Sequence, residues 1–169
     1  MATKWWVTRV LSFPIMPIGA TDSHNLQRFV DAQQHAISSV IAELKHGRKR
    51  GHWIWFIFPQ LKGLGHSANS EFYGILSLQE AAAYLQHPLL GPRLKECTQL
   101  VNAVEGHSAQ DIFGEIDALK FRSSMTLFAK AASDNQIFIN AIEKYFAGEF
   151  DALTIERLEG EQPAKAKLE

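Results

Sequence analysis

The chain has a single cysteine, Cys97, among 169 residues. It can form neither an intramolecular disulfide nor a multi-cysteine zinc site, and a cytoplasmic, reducing setting is the expectation. Net charge is equally scarce. Seventeen Lys and Arg against eighteen Asp and Glu leave −1, whereas dedicated nucleic-acid binders are usually basic overall. No apolar run approaches the roughly 18 residues of a membrane span. The N-terminal stretch MATKWWVTRVLSFPIMPIG is interrupted at Thr8 and Arg9 and then by Pro14 and Pro17, so it is not the core of a signal peptide either. Period-2 alternation and internal repeats are missing, which removes the usual marks of half-buried strands and of solenoids. The seven histidines (His24, His35, His46, His52, His66, His87 and His107) form no H-x-x-x-H or H-E-x-x-H motif, so no metal site and no cofactor is expected.

What is present is helical patterning. Leu26, Phe29, Val30, Ile37, Val40, Ile41 and Leu44 make one amphipathic stripe over 22–44, with Asp22 or Ser23 as cap and Gly47 as stop. It reads as one helix or as two broken near Gln33–His35. The run WIWFIF, bounded by Gly51 and Pro59, lacks a partner strand and reads as a short buried helix. Ser77 to Glu80 is a capping-box pattern, Pro92 opens the next helix, and Ser108 with Asp111 caps a short turn ending at Gly114. Further helices are expected from Asp117 to about 132, from Ser133–Asp134 to Gly148, and over 151–158. The expected fold class is mainly α, a compact multi-helical single domain over 22–158, with an irregular extension at 1–21 and a flexible polar tail at 159–169.

Three constellations bear on chemistry. In RKRGHWIWFIFPQ, Arg48, Lys49 and Arg50 precede a dense aromatic run. Arginine forks and indole faces suit a phosphate joined to a flat ring. Equally, the cations favour a helix C-terminus and the aromatics fill a core. Trp53 and Trp55 point about 200° apart on a helix, so they cannot share one ligand. Polar His52 and Gln60 at the ends of the run are the better site candidates. In KGLGHSANSEF, Gly63 and Gly65 permit unusual backbone angles beside Ser67, either an anion-binding loop or a plain turn and cap. On the segment DALKFRSSMTLFAKAA, Lys120, Ser123 and Ser124 share a helix face. That face suits a phosphate contact, but also simple solvation. Cys97 lies on an apolar helix side and reads as a core residue.

The blocks RFVDAQ (28–33), GRKRGHWIWFIFPQLKGLGHS (47–67), LQHPLLGPRLKEC (85–97) and IFGEIDALKFRSSMTLFA (112–129) resemble a bacterial domain-of-unknown-function family, number 1810. The resemblance runs from about Asn25 to Leu158. Members sometimes carry the label calpastatin, whose inhibitory segments are disordered and polar, unlike this apolar-striped chain. Where the family tends to read Phe-Gly-x-Pro-Asp-Asp, this chain has Phe113-Gly114-Glu115-Ile116-Asp117-Ala118, keeping Asp117 and lacking the proline and the second acid. The family brings no established activity. A looser likeness to the NAD- and ADP-ribose-associated (NADAR) domains, in the Lys120-Phe121 dipeptide and the aromatic content, implies cleavage of N-glycosidic bonds by fold-level analogy.

Together these readings give an expected pocket for a small phosphorylated, nucleotide-like ligand. Its binding residues would be Arg48, Arg50, His52, Trp53, Gln60, Gly65, Ser67, Lys120, Ser123 and Ser124, and Asp117 or Glu71 would be the catalytic carboxylate if a glycosidic bond is hydrolysed. The alternative is a non-catalytic protein–protein interaction module, in which the aromatics form an exposed patch. Nucleic-acid binding through Arg48–Arg50 is disfavoured by the charge balance, and no membrane association is expected.

Overall fold

The computed structural model describes residues 22–160. The segments 1–21 and 161–169, which hold the expected extension and most of the expected tail, lie outside the described residues. Nine helices and no strand occur among the described residues: α1 (Gln27–Lys45), α2 (Ile54–Ile57), α3 (Ala68–Phe72), α4 (Leu78–Gln86), α5 (Leu90–Asn102), α6 (Ala109–Phe113), α7 (Glu115–Ala131), α8 (Gln136–Phe146) and α9 (Ala152–Gly160). The fold is mainly α, and α9 continues two residues past its expected end.

Helix α7 is the axis of the molecule. From Phe121 to Ala129 every residue except Arg122 is buried, because α2, α4, α6, α8 and α9 surround it. A helix enclosed on most sides needs small residues as well as large ones, and Ser123, Ser124, Thr126 and Ala129 fill that role between Phe121, Met125 and Phe128. The hydroxyls are partly spent on backbone: Ser123 donates to the Leu119 carbonyl at 3.1 Å, and Thr126 accepts the Asp151 N–H at 2.9 Å. The WIWFIF run supplies the short buried helix α2. Phe58 meets Phe121 edge to face at 4.9 Å and Phe113 at 6.0 Å, so this stretch is chiefly core.

Local signals explain most boundaries. Asp22 accepts the Leu26 and Gln27 N–H groups at 2.7 and 2.9 Å, so it caps α1 from across a turn and the helix proper starts at Gln27. There is no break at Gln33–His35. Gln33 points inward and donates to the Phe56 carbonyl at 2.7 Å, a polar residue on the buried side of an unbroken helix. Gly47 ends α1 in the left-handed region, φ +65°. The capping box at Ser108 and Asp111 forms in full. At Ser77 only half does: the hydroxyl accepts the Glu80 N–H, but the Glu80 carboxylate turns to the Leu76 N–H and to Arg28.

Between α2 and α4 the chain forms an isolated parallel bridge, Leu61 with Ile75, on either side of α3. Lys62 N–H donates to the Ile75 carbonyl and Ile75 N–H to the Gln60 carbonyl, both at 2.9 Å. This bridge fixes Gln60 at the start of a loop that faces α7.

Candidate functional site

A cleft of about 530 Å³ opens between that loop and α7. Gln60, Gly65, His66, Ser67 and Ser70 form one wall; Lys120 and Ser123 from α7 and Asp151 ahead of α9 form the other. Ile116, Leu119 and Leu153 also line it and are 71%, 62% and 59% exposed, a set of apolar side chains beside the polar ones. A recess of about 10 Å³ adjoins the cleft and shares Gln60, Ser70 and Lys120 with it; Trp55, Phe58, Tyr73 and Gly74 complete its lining.

Each wall has a local cause. Ser67 caps α3 by accepting the Ser70 N–H at 3.1 Å, and the two hydroxyls lie 2.9 Å apart. Asp151 caps α9, its carboxylate accepting from Thr154 N–H at 2.9 Å and from the Thr154 hydroxyl at 2.6 Å. Lys120 lies one turn after Asp117 on α7, and its ammonium is 2.9 Å from the carboxylate and 4.7 Å from the Trp55 ring centre. Lys49 approaches the other Asp117 oxygen at 2.7 Å and is itself almost fully covered. Two ammonium groups therefore share one carboxylate, and the trio keeps a net positive charge beside the cleft. Partial burial works to raise the Asp117 pKa, but hydrogen bonds and charge from Lys120 and Lys49 outweigh it and hold the carboxyl below its usual range.

Two residues that line the recess each carry a buried polar atom with no hydrogen-bond partner: Trp55 its indole Nε1 and Gln60 its side-chain Oε1. Gln60 is only 8% exposed. Orphaned buried groups are uncommon in native folds and call for an explanation.

The residues singled out from the sequence divide into two sets. Gln60, Gly65, Ser67, Lys120 and Ser123, drawn from segments about sixty residues apart, line the one cleft. Asp117 lies behind Lys120 as its ion-pair partner. Ser124 is wholly buried in α7, away from the lining, and its hydroxyl has no partner. Arg48, Arg50 and His52 are exposed on the turn after α1 and line neither cleft nor recess. Trp53 is core, its indole donating to Glu43 at 2.8 Å. That carboxylate also binds the Arg50 and Gly51 N–H groups, so Glu43 organises the basic turn as a loop clamp. Glu71 is exposed on α3, 3.7 Å from Lys62, outside the lining of the cleft.

Trp55, Ser70 and Asp151 lie outside the site expected from sequence, and His66 enters it only as part of the 63–67 loop. Trp55 could have been found from the argument that two tryptophans two residues apart face opposite ways: once Trp53 is core, Trp55 faces out. Asp151 reads in sequence only as a helix start. Among the described residues no group of three or more His, Cys, Asp and Glu could hold a metal ion, and no helix is long and apolar enough to cross a membrane.

The crystal structure at 1.38 Å of the conserved hypothetical protein Rv1873 from Mycobacterium tuberculosis is similar, with a TM-score of 0.81 and 56% sequence identity, covering 82% of this chain and 99% of that one. No curated protein matches the chain. Residues 23–158 match the family described as "Protein of unknown function (DUF1810)". The likeness carried by the four sequence blocks thus extends over the whole helical domain, and the chain belongs to the DUF1810 family.

Proposed function

We propose that the cleft binds a small phosphorylated, nucleotide-like molecule in the cytoplasm. The supporting observation is the Lys120 ammonium, held against Trp55 and Asp117 at the junction of a small, largely aromatic recess and a wider cleft. Such a mixture of a few convergent polar groups with apolar walls is what small-molecule sites are built from. Lys120 is the ammonium in the cleft lining, sharing its wall with the Asp151 carboxylate and backed by Lys49 on the other Asp117 oxygen, and Ser67 and His66 stand on the facing wall as further hydrogen-bonding partners. Ile116, Leu119 and Leu153 offer a surface for a flat ring.

Hydrolysis of an N-glycosidic bond would extend the same reading. On that reading Asp117 acts through Lys120, since its two oxygens are taken by Lys120 and Lys49 and it lies outside the lining of the cleft. Asp151 is the carboxylate that lines the cleft itself. Against the interaction-module alternative stands the placement of the aromatic run: Trp53 and Phe58 are buried and Trp55 and Phe56 are half-buried, so they form no exposed patch.

A thermal-shift screen of the purified protein against nucleotides, NAD, ADP-ribose and sugar phosphates tests the proposal. A ligand at about a hundred times its Kd stabilises the fold by about 2.7 kcal/mol. The expected result is a hit that Lys120→Ala abolishes in a protein that still melts cooperatively. A hit of undiminished affinity in that variant, or a flat screen with every compound, counts against it.

A further inference from the structure

The recess is too small for a phosphate or a ring, and its unpartnered groups are of both kinds. Trp55 Nε1 is a donor and Gln60 Oε1 an acceptor, both buried and both unsatisfied. Lys120 adds a cationic donor at the same place, one of its three N–H groups being taken by Asp117. The volume of about 10 Å³ corresponds to a single oxygen-sized group. A phosphate oxygen at neutral pH only accepts, and would leave Gln60 Oε1 facing an anion. A hydroxyl accepts from two donors and donates once. Among ligand groups of that size its donor and acceptor count matches the indole, the ammonium and the carboxamide oxygen, as a water's also does.

We infer that the Trp55–Gln60–Lys120 recess is a hydroxyl subsite, taking a sugar hydroxyl of the ligand while the remainder of the molecule occupies the outer cleft. This rests on the reading of the cleft as a nucleotide-like site and specifies which part of the ligand goes deepest. The selectivity follows from the orphaned atoms. A site built to hydrogen-bond a hydroxyl discriminates strongly against an analogue lacking it, because its own buried polar groups then stay unpaired. Gly65, in the wall of the outer cleft, packs on Ser70 of the recess: a Cβ there would lie 2.4 Å from the Ser70 hydroxyl and 3.7 Å from Gln60 Nε2, so only glycine allows the loop to close this far.

The test is calorimetric titration of the full chain with adenosine and uridine 5′-monophosphates, each against its 2′,3′-dideoxy analogue. At least one hydroxylated form should bind about tenfold or more tightly than its dideoxy partner. In Gln60→Met, which keeps the side-chain length and loses the acceptor, that ratio should fall towards one. Indole N–H resonances, assigned through Trp→Phe replacements, supply a readout in the unaltered protein: the Trp55 signal should move with the hydroxylated nucleotide and stay in place with the dideoxy form. Equal affinities with a stationary Trp55 signal would mean that the recess holds only a water. The subsite would then be overturned while the anion site stood. No saturable binding of any of the four nucleotides in the millimolar range would overturn both.

Discussion

Arg28 and Glu80, 52 positions apart, form an ion pair of 2.7 Å with both side chains almost fully covered. Nε of Arg28 donates to the Phe72 carbonyl, Nη1 to those of His24 and Asn25, and Nη2 to the Gly74 carbonyl and to Glu80, which occupies all five guanidinium donors. Glu80 in turn accepts the Leu76 N–H at 2.8 Å. The pair ties the start of α1 to the segment that carries one wall of the recess. Breaking such a pair leaves a buried charge uncompensated, so Arg28→Ala should destabilise the protein by about 3–5 kcal/mol. Replacing both partners by apolar residues should cost less than the sum of the single changes. Urea unfolding of the three variants checks both statements.

The same pair shows where the sequence stops being informative. Ser77–Glu80 looks like a self-contained capping box, yet the Glu80 carboxylate is drawn away by an arginine from another helix. Helix existence was legible because stripes, caps and stop glycines are local: the Ser108–Asp111 box needed nothing distant. The continuity of α1 through Gln33 depended on the Phe56 carbonyl, 23 positions away, and had no local mark. The cleft was half legible for the same reason. Lys120 and Gln60 stood out as polar residues in apolar surroundings, whereas Trp55 and Asp151 resembled an ordinary core aromatic and an ordinary cap.

Acid should expose the Asp117 bridge. Its pKa in the fold lies below the model-compound 3.8, so above that value the contribution to stability is fully present, and it is lost as pH falls through the lower folded value. In this window the unfolded chain binds more protons than the native one, and stability rises with pH. Asp22 and Glu43, also held below their usual values once backbone N–H bonds outweigh their burial, add to the slope. Midpoints of urea unfolding between about pH 5 and pH 2.5 should therefore fall with acidification, and fall less steeply in Asp117→Asn.

Cys97 is fully buried, and desolvation, with a smaller push from Glu96, raises its thiol pKa to about 12. The thiolate is the reactive form, so the native protein should resist iodoacetamide at pH 8 and react stoichiometrically once unfolded in urea. Rapid labelling of the folded protein would contradict the packing of α5 against the core.

Gly65→Ala probes the recess through Ser70, the lining residue that Gly65 packs against. The added methyl group would sit 2.4 Å from the Ser70 hydroxyl oxygen and 2.7 Å from Ser70 Cβ, closer than real side chains approach, while Ser70 is itself buried on α3. Either the loop lifts away from Gln60 or α3 shifts, at a cost of about 1–3 kcal/mol for overpacking. Movement of either wall widens the recess and should weaken nucleotide binding together with stability. Ser70→Gly removes both clashing atoms, so in the double variant the two changes should be non-additive, with the loss smaller than the sum of the singles. Thermal unfolding and nucleotide titration of the four proteins in this cycle measure the coupling. Strictly additive losses would show that the Gly65–Ser70 contact does not govern the shape of the recess.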